Sequence, residues 1–135
     1  MDSRRSKYLL DSSALLAFME DEAGADKVQD ILRNKKVILP FVVLLEVYYI
    51  TLREKGPDVA DRRYAMIKSL DVEIKWQMDE STLMLAGKYK AQYRISLADA
   101  MIAAFAKTEN AILVHKDPEY EALKGEVEQI TLPYK

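Results

Sequence analysis

Short apolar runs alternate with longer segments of helical periodicity along the chain. Apolar runs bounded by polar or turn-forming residues predict strands at about 7–10, 37–39, 72–76, 111–114 and 127–132. Capping residues and apolar positions spaced three or four apart predict helices at about 14–24, 24–34, 41–55, 58–70, 79–93 and 96–110, and a helical turn at about 119–124. Because strands that alternate with helices form right-handed βαβ units, we expect one α/β domain over residues 1–135. Its sheet should be mostly parallel, with about five strands flanked by helices.

The segment 41–55 is apolar on more than one face. We therefore expect this helix to be covered by other elements on both sides. Glu46 lies in the middle of the segment, and burying an ionised carboxylate costs several kcal/mol unless it is paired or bound to a metal. No Lys or Arg lies three or four positions from Glu46. A bound cation is therefore favoured over the alternatives, a distant ion pair or a tyrosine hydroxyl partner.

Two further acids lie just after the ends of predicted strands. Asp11 comes after the first strand, and Asp117 comes shortly after the fourth. Ligands of parallel α/β sheets bind at the carboxyl ends of strands, so both acids are expected at that edge. Each also has a purely structural interpretation. Asp11 can cap the first helix, as can Ser12 or Ser13, and Asp117 followed by proline is typical of a turn.

Asp99 opens a helix that is otherwise apolar for two turns. The residues after it read AMIAAFA, so the helix is expected to be buried nearly all round, with the acid at its N-terminal end. The structural alternative is strong, because Ser96 and Asp99 have the spacing of a capping box. The position of Asp99 becomes informative only together with the other three acids.

Several carboxylates gathered in one cleft predict a divalent cation. Like charges raise one another's pKa values, and a cation relieves that repulsion. A site built only from oxygen ligands selects Mg²⁺ or Mn²⁺ over zinc or copper. Such an ion can position a phosphodiester, activate a water molecule and neutralise charge on the leaving oxygen. The four acids therefore indicate phosphoryl chemistry.

Composition removes several other classes of site. The chain has no Cys and a single His, which excludes disulfide scaffolds, zinc fingers and cysteine nucleophiles. Its four glycines are too scattered for a phosphate-binding loop. The formal net charge is −2, so any nucleic-acid binding needs a local basic patch. No signal peptide or membrane-spanning segment is evident, and a cytoplasmic protein without membrane association is expected.

The acids lie in motifs that resemble the PIN-domain family. The sequence YLLDSSALLA at 8–17 is similar to the family's opening motif, and Glu46 matches its second acid. The most specific segment is SLADAMIAA at 96–104, which resembles the third motif. The fourth is resembled by ILVHKDPEY at 112–120. The order and spacing agree over essentially the whole chain, and its small size resembles the toxin ribonucleases of VapBC toxin–antitoxin systems.

The resemblance implies a fold, an activity and partners. The fold would be a Rossmann-like three-layer sandwich with a central parallel sheet. The activity would be that of an endoribonuclease that depends on Mg²⁺ or Mn²⁺ and hydrolyses RNA phosphodiester bonds. Toxin members of the family imply a homodimer and an antitoxin protein that occludes the site.

Roles for individual residues follow from the same resemblance. Asp11 and Asp99 would be the principal metal ligands. Glu46 would complete the cluster directly or through water, and Asp117 would support the site or orient the nucleophile. Ser13 matches a small hydroxyl residue of the family and is expected to donate a hydrogen bond to Asp11.

The fourth motif departs from the family at one position. His115 stands where the family usually has Thr or Ser two residues before the acid, and we expect it at the rim of the site. Lys116 is the best candidate for a contact with substrate phosphate because it adjoins Asp117. A hydrolase triad that combines His115, Asp117 and a serine is disfavoured, because no G-x-S-x-G segment is present.

Three other functions stay open at this point. The first is a catalytically silent PIN-like module that binds RNA or acts as a scaffold, and the second is a housekeeping RNA-processing nuclease. The third is a receiver-type signalling domain, which normally has a pair of acids after its first strand, where this chain has only Asp11.

Overall fold

The computed structural model describes residues 6–134, which form an alternating series of strands and helices. The strands are β1 (Lys7–Leu10), β2 (Lys36–Pro40), β3 (Glu73–Lys75), β4 (Ala111–His115) and β5 (Gln129–Thr131). The helices are α1 (Ser12–Met19), α2 (Ala25–Asn34), α3 (Phe41–Lys55), α4 (Pro57–Ser69), α5 (Glu80–Gln92), α6 (Leu97–Thr108) and the 3₁₀-helix η1 (Pro118–Leu123). Every predicted strand and helix is present, and the expected α/β architecture is confirmed.

The five strands form one parallel sheet in the order β3-β2-β1-β4-β5. The chain moves outward from β1 to β3 and then returns, so that β4 lies on the other side of β1. The strand order therefore reverses between β1 and β4, whose carboxyl ends are level because Leu10 pairs with Val114. In open parallel sheets such a reversal creates the crevice where ligands bind. The topology places a candidate site at the ends of β1 and β4.

The hydrophobic core joins the central strands to the helices that flank the sheet. Leu9 and Leu113 from the central strands are fully buried. Helix α6 packs against α5 and β4, and its alanines allow a close approach of the neighbouring backbones. Almost every residue from Asp99 to Ala106 in this helix is buried, which confirms the expectation that α6 is enclosed.

Helix α3 is covered on one side only, so the prediction that it is packed on both sides is wrong. Val43 and Val47 are buried, whereas Leu45, Tyr49 and Leu52 are 56%, 42% and 38% exposed. The helix packs against α4, α1 and α6, and these neighbours leave one apolar face open. Among the described residues, no helix is long and apolar enough to cross a membrane.

Candidate metal centre

Asp11 lies where β1 passes into α1, and its carboxylate is almost completely buried. Its backbone is extended and its side chain accepts the N–H of Ala14 at 2.9 Å, so Asp11 is the N-cap of α1. The prediction that Ser12 or Ser13 caps this helix is wrong, because both serines lie within α1. The capping interpretation of Asp11 is confirmed, and it directs a carboxylate to the carboxyl edge of the sheet.

The two serines instead hold acids of the site. The Ser13 hydroxyl donates to Asp11, lying 2.7 Å and 2.9 Å from its two carboxylate oxygens, as expected from the sequence. The same Oγ accepts the backbone N–H of Lys116 at 2.8 Å, which ties the end of β1 to the end of β4. Ser12 donates to Oε1 of Glu46 at 2.8 Å, so α1 also fixes the half-buried acid of α3.

Asp99 lies in the first turn of α6 and is 6% exposed. Ser96 caps the helix by accepting the N–H of Asp99 at 3.1 Å. A full capping box would also need the Asp99 carboxylate on the N–H of Ser96, but that N–H donates to Oε1 of Glu119 at 2.9 Å. The Asp99 carboxylate is therefore not used for capping. It accepts the hydroxyl of Tyr120 at 3.0 Å through Oδ1.

Asp117 is the N-cap of the 3₁₀-helix η1, and its carboxylate lies near that of Asp99. Its side chain accepts the N–H of Glu119 at 2.9 Å, which confirms the turn interpretation of this Asp-Pro pair. One ligand atom each from Asp99, Asp117 and Glu119 lies within 4.8 Å of the others. Asp11 and Glu46 lie outside this tight group. Glu119 was not predicted, although its position two residues after Asp117 was available as a signal.

Burial and mutual repulsion make the acids difficult to ionise together. Burial, with smaller contributions from the charges of Asp117 and Glu46, raises the pKa of Asp11 from 3.8 to about 7. Burial and the nearby Asp117 charge likewise raise the pKa of Asp99 well above its ordinary value. Burial also raises the pKa of Glu46. These acids therefore influence one another across the crevice although they come from distant parts of the chain.

Within the described part of the chain, no basic side chain forms an ion pair that compensates this charge. Among residues 6–134, the ion pairs of Lys and Arg do not include any of the four predicted acids. Buried carboxylates without a cationic partner are expected to bind a metal or to hold protons. All the side-chain donors are oxygens, and this donor set fits a hard ion such as Mg²⁺ or Mn²⁺.

His115 and Lys116 are placed differently from the expectation. His115 is completely buried, so the prediction that it lies at the rim of the site is wrong. Burial lowers the pKa of its imidazole, because the charged form is not solvated there. The ammonium of Lys116 donates to the carbonyl oxygen of Ala23 at 2.9 Å and lies 3.5 Å from Glu22. These contacts attach the α1–α2 turn to the end of β4, and a phosphate contact of Lys116 stays a prediction.

An open cleft adjoins the acids on the side of α1. Its volume is about 690 Å³, and Ser13 and Lys116 lie where it borders the site. Three glutamates from the turn after α1 and from α3 contribute to its lining, namely Glu20, Glu22 and Glu54. The charged side chains of the lining are therefore mostly acidic, although Glu20 forms an ion pair with Arg63.

Comparison with known proteins identifies the family. The model of the PIN domain matches residues 8–126, which include all four predicted acids. The chain belongs to the PIN-domain family. A comparison of this PIN domain with curated proteins finds no match.

Solved structures share the fold of this PIN domain over nearly its whole length. VapBC2 from Rickettsia felis, bound to a promoter DNA fragment, is 17% identical, with a TM-score of 0.77 over 94% of this chain and 99% of that one. VapC20 from Mycobacterium tuberculosis, a toxin that cleaves the sarcin–ricin loop, is 19% identical, with a TM-score of 0.72 over 95% of this chain and 100% of that one. A toxin–antitoxin complex from Klebsiella pneumoniae is 14% identical, with a TM-score of 0.67 over 95% of this chain and 99% of that one.

Proposed function

We propose that this PIN domain is a divalent-metal-dependent endoribonuclease and the toxin component of a toxin–antitoxin pair. The observation that carries the proposal is the set of buried and half-buried acids at the crevice between β1 and β4, which have no basic partner among residues 6–134. Family membership and the shared fold with the VapC20 toxin support the same conclusion.

The residues that would hold the ion are those with oxygen atoms directed to the crevice. Asp11 and Asp99 are proposed as the principal ligands of Mg²⁺ or Mn²⁺, with Glu46 and Asp117 completing or supporting the cluster. Glu119 joins the proposed set because it lies within the tight group around Asp99. When bound, a divalent ion supplies Lewis-acid stabilisation of a phosphodiester and an activated water for its hydrolysis.

The protein's own side chains prepare the site for that chemistry. Ser13 and the N-terminus of α1 favour the ionised form of Asp11, since both donate hydrogen bonds to its carboxylate. Ser12 fixes one oxygen of Glu46. The acids are thus held before an ion or substrate arrives, which lowers the reorganisation needed for catalysis.

The acidic cleft supports an antitoxin as partner. Its lining has three glutamates and one lysine, and ion pairs join Lys116 to Glu22 and Arg63 to Glu20. The lining side chains still carry more negative than positive charge, which favours a basic polypeptide segment over the phosphates of RNA. A basic segment of an antitoxin lying in this cleft would occlude the neighbouring metal site.

The open face of α3 supports a homodimer. Leu45, Tyr49 and Leu52 form an exposed apolar surface on this helix. Analytical ultracentrifugation tests the dimer, and a monomeric wild-type protein at micromolar concentration would exclude it.

Cleavage of RNA by a matched pair of variants tests the catalytic proposal. Asp99→Asn replaces a carboxylate ligand of the proposed ion by an amide and should reduce cleavage with Mn²⁺ by at least about 100-fold. Asp71→Asn makes the same change at an exposed position and should retain wild-type activity. Chelation of the metal should abolish the activity of both the wild type and Asp71→Asn.

Two outcomes would redirect the proposal. Equal cleavage by Asp99→Asn and wild type, in preparations free of host nuclease, would contradict the proposed site. Metal binding without cleavage of any RNA would favour a catalytically silent binding module.

Growth arrest on induction that depends on Asp99 would favour a toxin over a housekeeping nuclease.

A further inference from the structure

A chain of hydrogen bonds behind the site connects Asp117 with Asp99. It begins at the backbone N–H of Asp117, which donates to Nδ1 of His115 at 3.1 Å. His115 Nε2 lies 2.8 Å from Oε1 of Gln129 in β5, and Nε2 of Gln129 donates to the carbonyl oxygen of Tyr120 at 2.8 Å. The series of hydrogen bonds stops at this carbonyl, and the side chain of the same residue completes the connection, because the Tyr120 hydroxyl donates to Oδ1 of Asp99 at 3.0 Å.

The direction of each hydrogen bond is fixed by the two backbone groups involved, the N–H of Asp117, which can only donate, and the carbonyl oxygen of Tyr120, which can only accept. A backbone N–H can only donate, so Nδ1 of His115 must be an unprotonated acceptor. The neutral imidazole therefore carries its proton on Nε2 and donates it to Gln129. The amide of Gln129 then has its oxygen toward His115 and its nitrogen toward Tyr120, which agrees with the observed contacts.

Packing makes the arrangement rigid. Tyr120 and His115 are both completely buried, and their rings are in contact with centroids 4.7 Å apart. The Tyr120 hydroxyl has one proton to donate, and it donates that proton to Oδ1 of Asp99. The orientation of the Asp99 carboxylate is therefore set by a ring that can neither rotate nor withdraw without disturbing the core.

We propose that Tyr120, His115 and Gln129 are positioning residues that orient Asp99 and Asp117 toward one divalent cation. The inference rests on the proposed metal site and assigns these three residues no contact with substrate. His115 orients the backbone of Asp117, Tyr120 orients the carboxylate of Asp99, and Gln129 couples the two. Removing the last hydrogen bond should weaken binding of the ion while leaving the fold intact.

Tyr120→Phe tests the inference, because it removes the hydroxyl and keeps the ring. Mn²⁺ affinity, measured with the full-length protein by electron paramagnetic resonance of the free ion, should fall about 10- to 100-fold. Tyr89→Phe is the matched control. Tyr89 is also buried, but its hydroxyl has no hydrogen-bond partner among the described residues, so this variant should bind Mn²⁺ like the wild type.

A second pair of variants separates positioning from packing. His115→Asn keeps an acceptor near the N–H of Asp117 but leaves a cavity, whereas His115→Leu fills the space without an acceptor. If positioning is the role, the asparagine variant binds Mn²⁺ more tightly than the leucine variant. If His115 only packs, the order is reversed, and the inference is wrong for this residue.

The possible failures are distinguishable. A wild-type protein that does not bind Mn²⁺ would overturn the proposed metal site and this inference together. A wild type that binds Mn²⁺, with Tyr120→Phe indistinguishable from Tyr89→Phe, would overturn the positioning role alone.

Discussion

The Asp11 carboxylate is subject to two opposing influences. Hydrogen bonds from Ala14 and Ser13 favour its ionised form, while burial favours the protonated form and has the larger effect. At a pH between 3.8 and about 7, the Asp11 carboxyl therefore retains its proton in the folded protein but has released it in the unfolded chain. Metal binding requires the release of that proton, so affinity for Mn²⁺ or Mg²⁺ should rise with pH.

The stability of the metal-free protein should fall as pH rises. The Asp11 carboxyl titrates near 3.8 when unfolded and at about 7 when folded, so the folded state binds more protons between these values. Stability is then lost as the pH increases through that window, and the raised pKa of Asp99 extends the loss upward. In the presence of a chelator, the Tm of the wild-type protein should decrease as the pH rises. The Tm of Asp11→Asn should decrease less over the same pH range. Equal slopes for both proteins would contradict the pKa assignment.

The sequence singled out four of the acids proposed for the site and the supporting Ser13, but not Glu119, Tyr120 or Gln129. Asp11 and Asp117 follow predicted strands, and Glu46 is an acid in an apolar helix. The pattern of neighbouring residues was therefore sufficient to single out these three acids. Tyr120 contacts Asp99 from 21 positions away, through a 3₁₀-helix whose orientation no local pattern specifies. His115 was misplaced for the same reason, since its burial depends on pairing with β5.

At the level of elements, the boundaries agree best where a capping residue stands at the predicted start of a helix. Helix α6 begins after Ser96 as predicted, and α5 begins after Asp79, which was one of two candidate caps beside Ser81. Helix α1 ends at Met19, earlier than expected, because Asp21 and Gly24 in the following turn both have positive φ angles. Hydrophobic pattern alone did not reveal that turn.

The α1–α2 turn requires glycine at position 24. Its φ angle is +98°, and an added Cβ would lie 3.1 Å from Cβ of Leu132. Gly24→Ala should therefore lower the free energy of unfolding by at least about 1 kcal/mol. Gly87→Ala, on the exposed face of α5 with open space around it, should instead raise it by about 0.5–1 kcal/mol. Chemical denaturation measures both, and equal effects would contradict the described turn.

On the scale of the whole molecule, the strand order assembles the site. Asp11 and Asp99 are far apart in sequence, and they share one electrostatic environment because β4 returns to lie beside β1. The alternation of strands and helices predicted the parallel sheet. The order of strands within it, which places the crevice, is not encoded in any single segment and was not predicted from the sequence.

The most direct test of the metal site is anomalous scattering from crystals grown with Mn²⁺. We expect an anomalous difference peak at the crevice between β1 and β4, within ligand distance of the carboxylates of Asp11 and Asp99, and the loss of this peak in crystals of Asp99→Asn. Crystals at saturating Mn²⁺ with no peak there, or with a peak only at acids elsewhere on the surface, would contradict the proposed metal site.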